Sequence, residues 1–357
     1  MTHIRVIHHF DKPTTDRLRD YLASASAESG VCGEHDPSWL GVLRDALGHR
    51  TFAMLATDDT GNRITGYLPL ALVTSRLFGR FLVSLPYLNR AGIVSEDAST
   101  RDALLREAAD LADRFKVQYL EMRHHTNTSD HELISQNRDD KVRMVLDLPT
   151  SAEDLWSAYS AKVRNQVRKG DKARLRIRFG GHDLLDGFYH VFATNMRDLG
   201  TPVYPRRLFS TILDAFPNDA ELVEVTHDGE PVAGALLLHQ TAAGVMETQV
   251  PSASSLRSAK HTNANMWMYH HLLQRAIERG SQRFDFGRSS PDSGTYRFKR
   301  QWGAVPLPTT WQYYVRYGDI STVRPDNPRY QRRIATWQKL PVWVTRLVGP
   351  TIVKGIP

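Results

Sequence analysis

The chain has 357 residues, and at about 150 residues per domain this length predicts two domains. Hydrophobic residues make up 41% and charged residues 24%, which excludes a disordered tail protein, and the single cysteine, Cys32, excludes an intrachain disulfide framework and a cysteine-rich zinc site. The net charge of +7 favours an acidic partner, such as a phosphate, a nucleotide, RNA or an anionic lipid surface.

Strands and helices alternate in the N-terminal part of the sequence. The periodicity predicts a strand at 3–9, helices at 14–27 and 37–47, a hairpin at 51–57 and 63–73, a strand at 80–85, a helix at 99–114 and a strand at 117–122. The hairpin depends on Asp-Asp-Thr-Gly-Asn between two apolar runs, the second of which alternates Leu68, Leu70 and Leu72. Turn residues that tolerate positive φ, followed by period-two alternation, are typical of a β-hairpin.

The polar run NTSDHELISQNRDD predicts a domain boundary, which gives an N-terminal unit at 1–140 and a C-terminal unit at 141–320. The second unit is predicted to contain a strand from about 142, helices near 151–171, 183–199 and 205–216, a second hairpin, a strand near 243–249, a helix at 262–279, and strands at 282–286 and 310–317. The tail, 321–357, has two interpretations. It lies along a membrane interface or, the favoured interpretation because Pro341 and Pro350 interrupt it, it packs on the body.

The two units contain a repeated pattern. Residues 222–240 repeat the first hairpin. Gly229 lies 168 residues after Gly61, and Gly234 lies 168 residues after Gly66. A helical segment followed by a short strand occurs at 101–123 and again at 266–288, with an offset of 165 residues. We therefore predict two copies of one α/β unit.

A basic segment precedes the second hairpin. Residues 162–178, KVRNQVRKGDKARLRIR, contain eight Lys or Arg residues and one acid, Asp171. On a helix, Arg164, Arg168, Lys169 and Lys172 lie opposite an apolar stripe. Such a face binds phosphate or RNA, because arginine matches phosphate geometry bidentately, or it is a solvated surface.

The segment FDFGRSSPDSGTYRFKRQWG, residues 284–303, is the strongest candidate for chemistry, because α/β domains place reactive groups in loops at strand ends. Asp285 is a candidate proton acceptor and Lys299 a candidate for stabilising an oxyanion or phosphate. Asp285 and Arg288 point to opposite faces of a regular strand, so only a turn at Gly287 would bring them together. The alternative is that Asp285 pairs with an arginine, while Phe298 and Trp302 pack a corner of the core.

Two further features have alternative interpretations. The rigid turn 200–205 offers Tyr204 and Arg206 to a pocket or simply connects two helices. The adjacent histidine pairs have poor chelating geometry, so we expect no metal. The sequence contains no P-loop, no zinc-protease motif, no nucleophile elbow and no dinucleotide fingerprint.

Together, the segments DFGRSSPDSGTYRFKRQWG, KVRNQVRKGDKARLRIR and DLGTPVYPRRLF resemble the FemAB-related proteins, and more closely the branch associated with the exosortase/PEP-CTERM system of Gram-negative bacteria. The resemblance extends over nearly the whole chain. It implies two tandem GNAT-like domains, each a mixed central sheet flanked by helices, and hence an α/β (α+β) fold class. It also implies that a phosphorylated substrate contacts Lys162, Arg164, Arg168 and Lys169, and that the transfer site contains Asp285, Arg288, Tyr296 and Lys299, with Trp302 as a further substrate contact.

We therefore expect a cytoplasmic acyl- or aminoacyltransferase that acts on an amine or hydroxyl of a cell-envelope or exopolysaccharide precursor. Expected partners are a phosphorylated or nucleotide-linked precursor, tRNA and, peripherally, the inner membrane. No cofactor is expected to bind tightly, and the donor is aminoacyl-tRNA or acyl-CoA. The glycine-rich turn of acetyl-CoA-binding GNAT domains is missing from LRSAKHTNANMWM, which weakens the acyl-CoA alternative. The alternative of another class is a non-catalytic module that binds an anionic glycan or RNA.

Overall fold

A computed structural model describes residues 3–124, 131–320 and 331–357. The first part of the chain forms β1 (His3–Ile7), α1 (Lys12–Ser24), α2 (Ser38–Leu47), β2 (Arg50–Thr57), β3 (Ile64–Ser75), β4 (Gly79–Val83), β5 (Val94–Ser95), α3 (Ala98–Arg114), β6 (Tyr119–His124) and β7 (Gln136–Arg138). The first hairpin is β2–β3, paired antiparallel as predicted. The Asp58 carboxylate accepts N–H bonds from Asn62 and Arg63 and so orders its turn.

The next elements are β8 (Val142–Asp147), α4 (Ala152–Ala158), α5 (Ala161–Lys172), β9 (Arg176–Gly180), α6 (Leu185–Leu199), α7 (Arg206–Ala215), β10 (Ala220–His227), β11 (Glu230–Ala242), β12 (Val245–Ser255), α8 (Ala264–Glu278), β13 (Arg283–Ser289), α9 (Gly294–Arg300), β14 (Val305–Pro308) and β15 (Thr310–Val315). The tail contains α10 (Gln331–Trp337) and α11 (Val342–Val353). The helix predicted at 151–171 is two helices, because the Ser160 hydroxyl accepts the N–H of Val163 and begins α5 there.

Two mixed sheets carry the same strand order. The first runs β1-β2-β3-β4-β6-β15-β7, with β5 beside β3, and the second runs β9-β10-β11-β12-β13-β8-β14. In each sheet one pair near the centre is parallel, β4 with β6 and β12 with β13, and helix α3 or α8 connects its two strands. The structure therefore confirms the mixed α/β fold in two copies.

One strand of the predicted C-terminal unit joins the first sheet. β8, predicted to begin the second copy, pairs with β13, whereas β9 pairs with β10 in the position that β1 takes beside β2. β15, which lies within the predicted C-terminal unit 141–320, pairs with β6 and β7 of the first sheet. The free edge of β6 is thus paired with β15, and the free edge of β13 is paired with β8. In both copies the covering strand comes from a distant part of the sequence.

Apolar packing joins the two copies. Trp39 of α2 packs on Phe216, which follows α7, with ring centroids 4.9 Å apart, and one buried cluster contains residues of both copies. Helix α11 bridges them: the Tyr87 hydroxyl donates to Val353 O, and the Arg346 guanidinium lies 5.0 Å above the Tyr189 ring. In the described residues, no helix combines the length and the apolar character that a membrane span requires.

Candidate active site

The candidate site lies where β12 and β13 diverge. These strands are paired at three positions only, Glu247 to Arg283, Thr248 to Phe284 and Gln249 to Asp285. Beyond Gln249, β12 pairs with β11, and beyond Asp285, β13 pairs with β8. Asp285 therefore lies at the last paired position before a gap opens between the two strands.

A bulge at Gly287 places Asp285 and Arg288 on one face of the sheet. Asp285 is opposite Val145 and Arg288 is opposite Arg143, so three steps on β13 match two steps on β8. Gly287 has φ +78°, a left-handed conformation that glycine adopts without strain. The turn that the sequence required for these two side chains to share a face is therefore present.

Asp285 belongs to a buried charge cluster, in which three carboxylates meet two guanidinium groups. Its carboxylate lies 3.6 Å from Arg143 and 4.0 Å from Arg90. Arg90 also binds Glu247 at 2.7 Å and Glu34 at 2.9 Å. Arg90 and Glu34 belong to the first copy, so both copies build the cluster.

The environment of Asp285 favours its protonated form. The side chain is 3% exposed, and burial together with the nearby Glu247 carboxylate raises the pKa of Asp285 to about 7, although Arg90 opposes this. Asp285 Oδ1 accepts the N–H of Gly287 at 2.7 Å. Burial also works against ionisation of Glu34, but Arg90 and Gln249 outweigh it and lower the pKa of that carboxyl. A proton can therefore be held or released at Asp285 near neutral pH.

Lys299 lies beside the bulge. Helix α9 begins where the Ser293 hydroxyl accepts the N–H of Tyr296, and it carries Lys299 in its last turn. The Lys299 ammonium donates to the carbonyl oxygens of Gly287 and Arg288, both at 3.0 Å. Burial lowers the pKa of Lys299 to about 8, while Asp285 opposes the shift. Two of its three protons are used in these bonds, which leaves one for a ligand.

Arg288 stacks on Trp311, a residue of β15. Its guanidinium lies 3.6 Å from the centroid of the Trp311 ring, and Arg123 lies 4.1 Å from the same centroid. Burial, with Arg123 and Arg138 nearby, lowers the pKa of Arg288 to about 9. Its buried Nε and Nη2 atoms have no hydrogen-bond partner within the described part of the chain. This guanidinium is available to an anionic group.

The corresponding gap in the first copy is closed. β4 and β6 pair as far as Val83 and Glu121, and the following loop then continues along β6. Ser84 N–H donates to Glu121 O, Ala91 N–H donates to Arg123 O, and Arg123 donates back to Leu88 O. The same loop carries Arg90 into the charge cluster.

The other residues predicted to contact the substrate do not form one cluster in the structure. Lys162, Arg168 and Lys169 are exposed on α5, with Arg168 5.5 Å from the Trp156 ring. Arg164, predicted to contact phosphate, instead donates to the carbonyl oxygens of Ser157 and Tyr159 at the end of α4. These bonds satisfy helix-end carbonyls, so Arg164 has a structural role.

Three predicted contacts pack or pair elsewhere. Trp302 is buried, with its ring 5.3 Å from Tyr159. The Tyr204 ring lies 5.4 Å from Tyr87 in the apolar contact between the copies, and Arg206 forms a surface ion pair with Asp186. These positions agree with the packing and connector alternatives. Tyr296 is partly exposed on α9.

The helices that follow β4 and β12 each have one N-terminal N–H paired with a side-chain oxygen. At α3, the Asp97 carboxylate accepts the N–H and hydroxyl of Thr100 at 2.7 and 3.1 Å. At α8, the buried Thr262 hydroxyl accepts the N–H of Ala264. A pyrophosphate at the N-terminus of α3 would meet the Asp97 carboxylate, whereas at α8 the first N–H is already paired with Thr262.

Sequence reasoning missed Arg90, Glu34, Glu247, Gln249 and Arg143. Glu247 and Gln249 alternate with Thr248 and Val250 within a buried strand, so their charge and polarity were a readable signal. Arg143 has the same property within β8. Arg90 lies in an irregular loop and gave no periodic signal.

Two cavities lie away from Asp285 and Lys299. A cavity of about 380 Å³ lies between the copies beside Cys32, His239 and Gln240, and another of about 480 Å³ lies between Trp156 and His271. Asp285 and Lys299 line neither of them. Within residues 3–124, 131–320 and 331–357, no group of three or more His, Cys, Asp or Glu side chains is arranged to hold a metal ion.

Comparison with known proteins agrees with this architecture. Residues 157–300 match the family model described as an acetyltransferase (GNAT) domain. The crystal structure of FemX is 15% identical with a TM-score of 0.64, over 87% of this chain and 97% of that one. L-PGS from Bacillus licheniformis is 13% identical with a TM-score of 0.55, over 95% and 97%. A tandem GNAT protein from the clavulanic acid biosynthesis pathway is 12% identical with a TM-score of 0.53, over 89% and 100%.

At these identities the structural likenesses show the fold, which is a tandem GNAT arrangement similar to FemX. The matched segment contains both Asp285 and Lys299. No curated protein matches the chain. The GNAT domain match and the fold support an acyltransferase at the level of class.

Proposed function

We propose that this protein transfers an acyl or aminoacyl group to an amine or hydroxyl of a cell-envelope or exopolysaccharide precursor. The observation that carries the proposal is Asp285, a buried carboxylate with a pKa near 7 at the point where β12 and β13 diverge. General-base groups work best when their pKa lies near the working pH. Gly287, Arg288 and Tyr296 are partly exposed, so the acceptor reaches Asp285 past these residues.

In the proposed step, the acceptor nitrogen or oxygen attacks the activated carbonyl carbon, and its proton passes to Asp285. The remaining Lys299 N–H bond stabilises the tetrahedral oxyanion. Collapse of this intermediate breaks the bond to the donor, and Asp285 returns the proton to the leaving group. The Gly287 N–H already binds Asp285 Oδ1 and is therefore assigned to holding the carboxylate.

Aminoacyl-tRNA is the donor we favour. The Asp97 carboxylate at the N-terminus of α3 disfavours the pyrophosphate of coenzyme A there, whereas Lys162, Arg168 and Lys169 are exposed on α5 for phosphate contacts. Such a donor and a nucleotide-linked acceptor both belong to the cytoplasm. The resemblance of three segments to the exosortase-associated branch supports an exopolysaccharide or envelope acceptor.

Acyl-CoA is the second candidate donor, because the matched domain is of the acetyltransferase type. In this alternative, the acyl chain would approach Asp285 where β12 and β13 stop pairing. Exposed Lys260 and His261 precede α8 and offer charge to a phosphate.

Mass spectrometry of what co-purifies with the protein, with and without ribonuclease treatment, tests the donor. Bound tRNA supports the first proposal, and bound coenzyme A supports the second. The transfer step is tested by the loss of ester from bulk aminoacyl-tRNA in the presence of an envelope-precursor extract. Asp285→Asn should abolish this loss, whereas Asp214→Asn, at a surface carboxylate, should not. Full activity of D285N and Lys299→Met would disprove the site, and tRNA binding without turnover would favour the non-catalytic module.

A further inference from the structure

Helix α11 presents an apolar face that the protein leaves uncovered. Thr345, Gly349 and Val353 are buried and face the body. On the other side, Trp343 is 70% exposed and Leu347 is 73% exposed. These two side chains are four residues apart and therefore lie together on one side of the helix. A helix that is apolar nearly all round is normally buried all round, so this outer face calls for a partner.

The charges around this face specify the partner. Residues 331–357 contain five Lys or Arg residues and no Asp or Glu. All five side chains are exposed, and none forms an ion pair with a carboxylate of the described residues; they are Arg332, Arg333, Lys339, Arg346 and Lys354. On the helix itself, Lys354 lies on the same side as Trp343 and Leu347, while Arg346 lies at the border over Tyr189.

We propose that the outer face of α11 docks on an anionic lipid surface. A tryptophan beside a leucine, bordered by basic side chains without acids, is the combination that enters the headgroup region of a bilayer while the lysines and arginines contact lipid phosphates. A protein partner would require no such excess of one charge. The bonds Tyr87 to Val353 O and Arg197 to Leu340 O anchor both ends of α11, so the face is presented without unfolding of the tail.

This docking is independent of the acyl-transfer chemistry and is tested without it. The full-length protein is floated with vesicles of phosphatidylglycerol and phosphatidylcholine, and with vesicles of phosphatidylcholine alone. We expect flotation with the anionic vesicles that weakens at high salt, and little with the neutral ones. The double variant Trp343→Glu and Leu347→Glu should lose about tenfold or more in vesicle partitioning, because it removes the apolar contact and adds two like charges.

Val305→Glu is the matched control, because Val305 is an exposed apolar residue of β14, outside the tail. It should float like the wild type, and equal melting temperatures would show that all variants are folded. Failure of the wild type to float with anionic vesicles, or equal flotation of the double variant, overturns the proposal. A wild-type dimer that the double variant converts to a monomer would assign the face to a second copy and overturn the lipid assignment.

Discussion

The Arg90 guanidinium lies 4.0 Å from the Asp285 carboxylate, although the first belongs to a loop of one copy and the second to a central strand of the other. Arg90 binds Glu34 and Glu247 more closely, so it connects three carboxylates in a space from which water is excluded. The charge environment of Asp285 thus includes a residue supplied across the contact between the copies.

The pH dependence of transfer should be bell-shaped. The rate should rise as the pH passes about 7, because Asp285 must lose its proton to accept another, and it should fall above about 8, because Lys299 must keep its charge. Asp285→Asn should lower the rate by about 10²- to 10⁴-fold and remove the lower limb. Lys299→Met should remove the upper limb. A profile in D285N that still rises through pH 7 would contradict the assignment.

Asp285 should also make the free energy of unfolding depend on pH. Stability should fall as the pH rises toward 7, whereas the transfer rate should rise. The pKa of Asp285 is raised in the folded protein, so its stabilising contribution is complete below the ordinary value near 3.8 and is lost as the pH rises to about 7. D285N lacks this loss and should gain stability relative to the wild type between pH 4 and pH 7. Thermal melting of both proteins at several pH values measures the difference. A difference that does not change with pH would show that Asp285 is ionised throughout.

Replacing Arg90 should destabilise the whole protein. Arg90→Met keeps much of the volume but leaves Glu34, Glu247 and Asp285 with less compensation, and breaking a buried ion pair costs about 3–5 kcal/mol. The matched control is Arg63→Met, at a guanidinium that is 61% exposed and paired with Glu96. Its cost should be about 0–1 kcal/mol. Chemical denaturation compares them, and equal losses would argue that the buried cluster does not depend on Arg90.

Gly287→Ala tests whether the bulge matters for transfer activity beyond its effect on the free energy of unfolding. A Cβ atom there meets nothing closer than 3.8 Å, so the cost is the positive φ, about 1–2 kcal/mol. Gly229→Ala carries the same strain, at φ +88° in a hairpin turn with open space around it. Both variants should lose similar stability in denaturation, and only G287A should lose transfer activity. Equal activity in the two would mean that the bulge does not position Asp285.

The basic face of α5 should bind nucleic acid through charge alone. The double variant Lys162→Ala and Lys169→Ala should keep its stability but weaken tRNA binding, with the dependence on log salt reduced by about two. Removal of two exposed charges on the first copy, Arg5→Ala and Lys12→Ala, is the control. Arg164→Ala should instead lower stability by about 1–2 kcal/mol, because it caps α4. Filter binding over a salt series distinguishes these outcomes.

Local signals explain most of what the sequence predicted correctly. Asp228 and Gly229 have positive φ, and this turn chemistry together with alternating leucines sufficed to locate the second hairpin. The break between α4 and α5 was missed, although Ser160 carried the signal of a helix N-cap. The pairing of β15 with β6 was not predictable, because it depends on which sheet edges meet in three dimensions.

The candidate site was predicted only in part for the same reason. Asp285 and Lys299 lie within one short segment whose residue types suggested chemistry. Arg90 reaches them from a loop without periodicity, so its role depends on the packing of the two copies. The contacts of Arg164 with the carbonyl oxygens of Ser157 and Tyr159 could not be predicted either, because they depend on how α4 ends.

The closed gap beside β6 has a consequence for ligand stoichiometry. Ser84 and Ala91 seal that strand edge with backbone bonds, whereas β13 beyond Asp285 stays separate from β12. Titration with a mimic of the acyl donor should therefore saturate at a single equivalent per chain, despite the doubled architecture. An inhibitor designed to bind beside Asp285 therefore needs to fit the second copy only. Resistance substitutions would arise in both copies, because Arg90 of the first copy also contributes to that site.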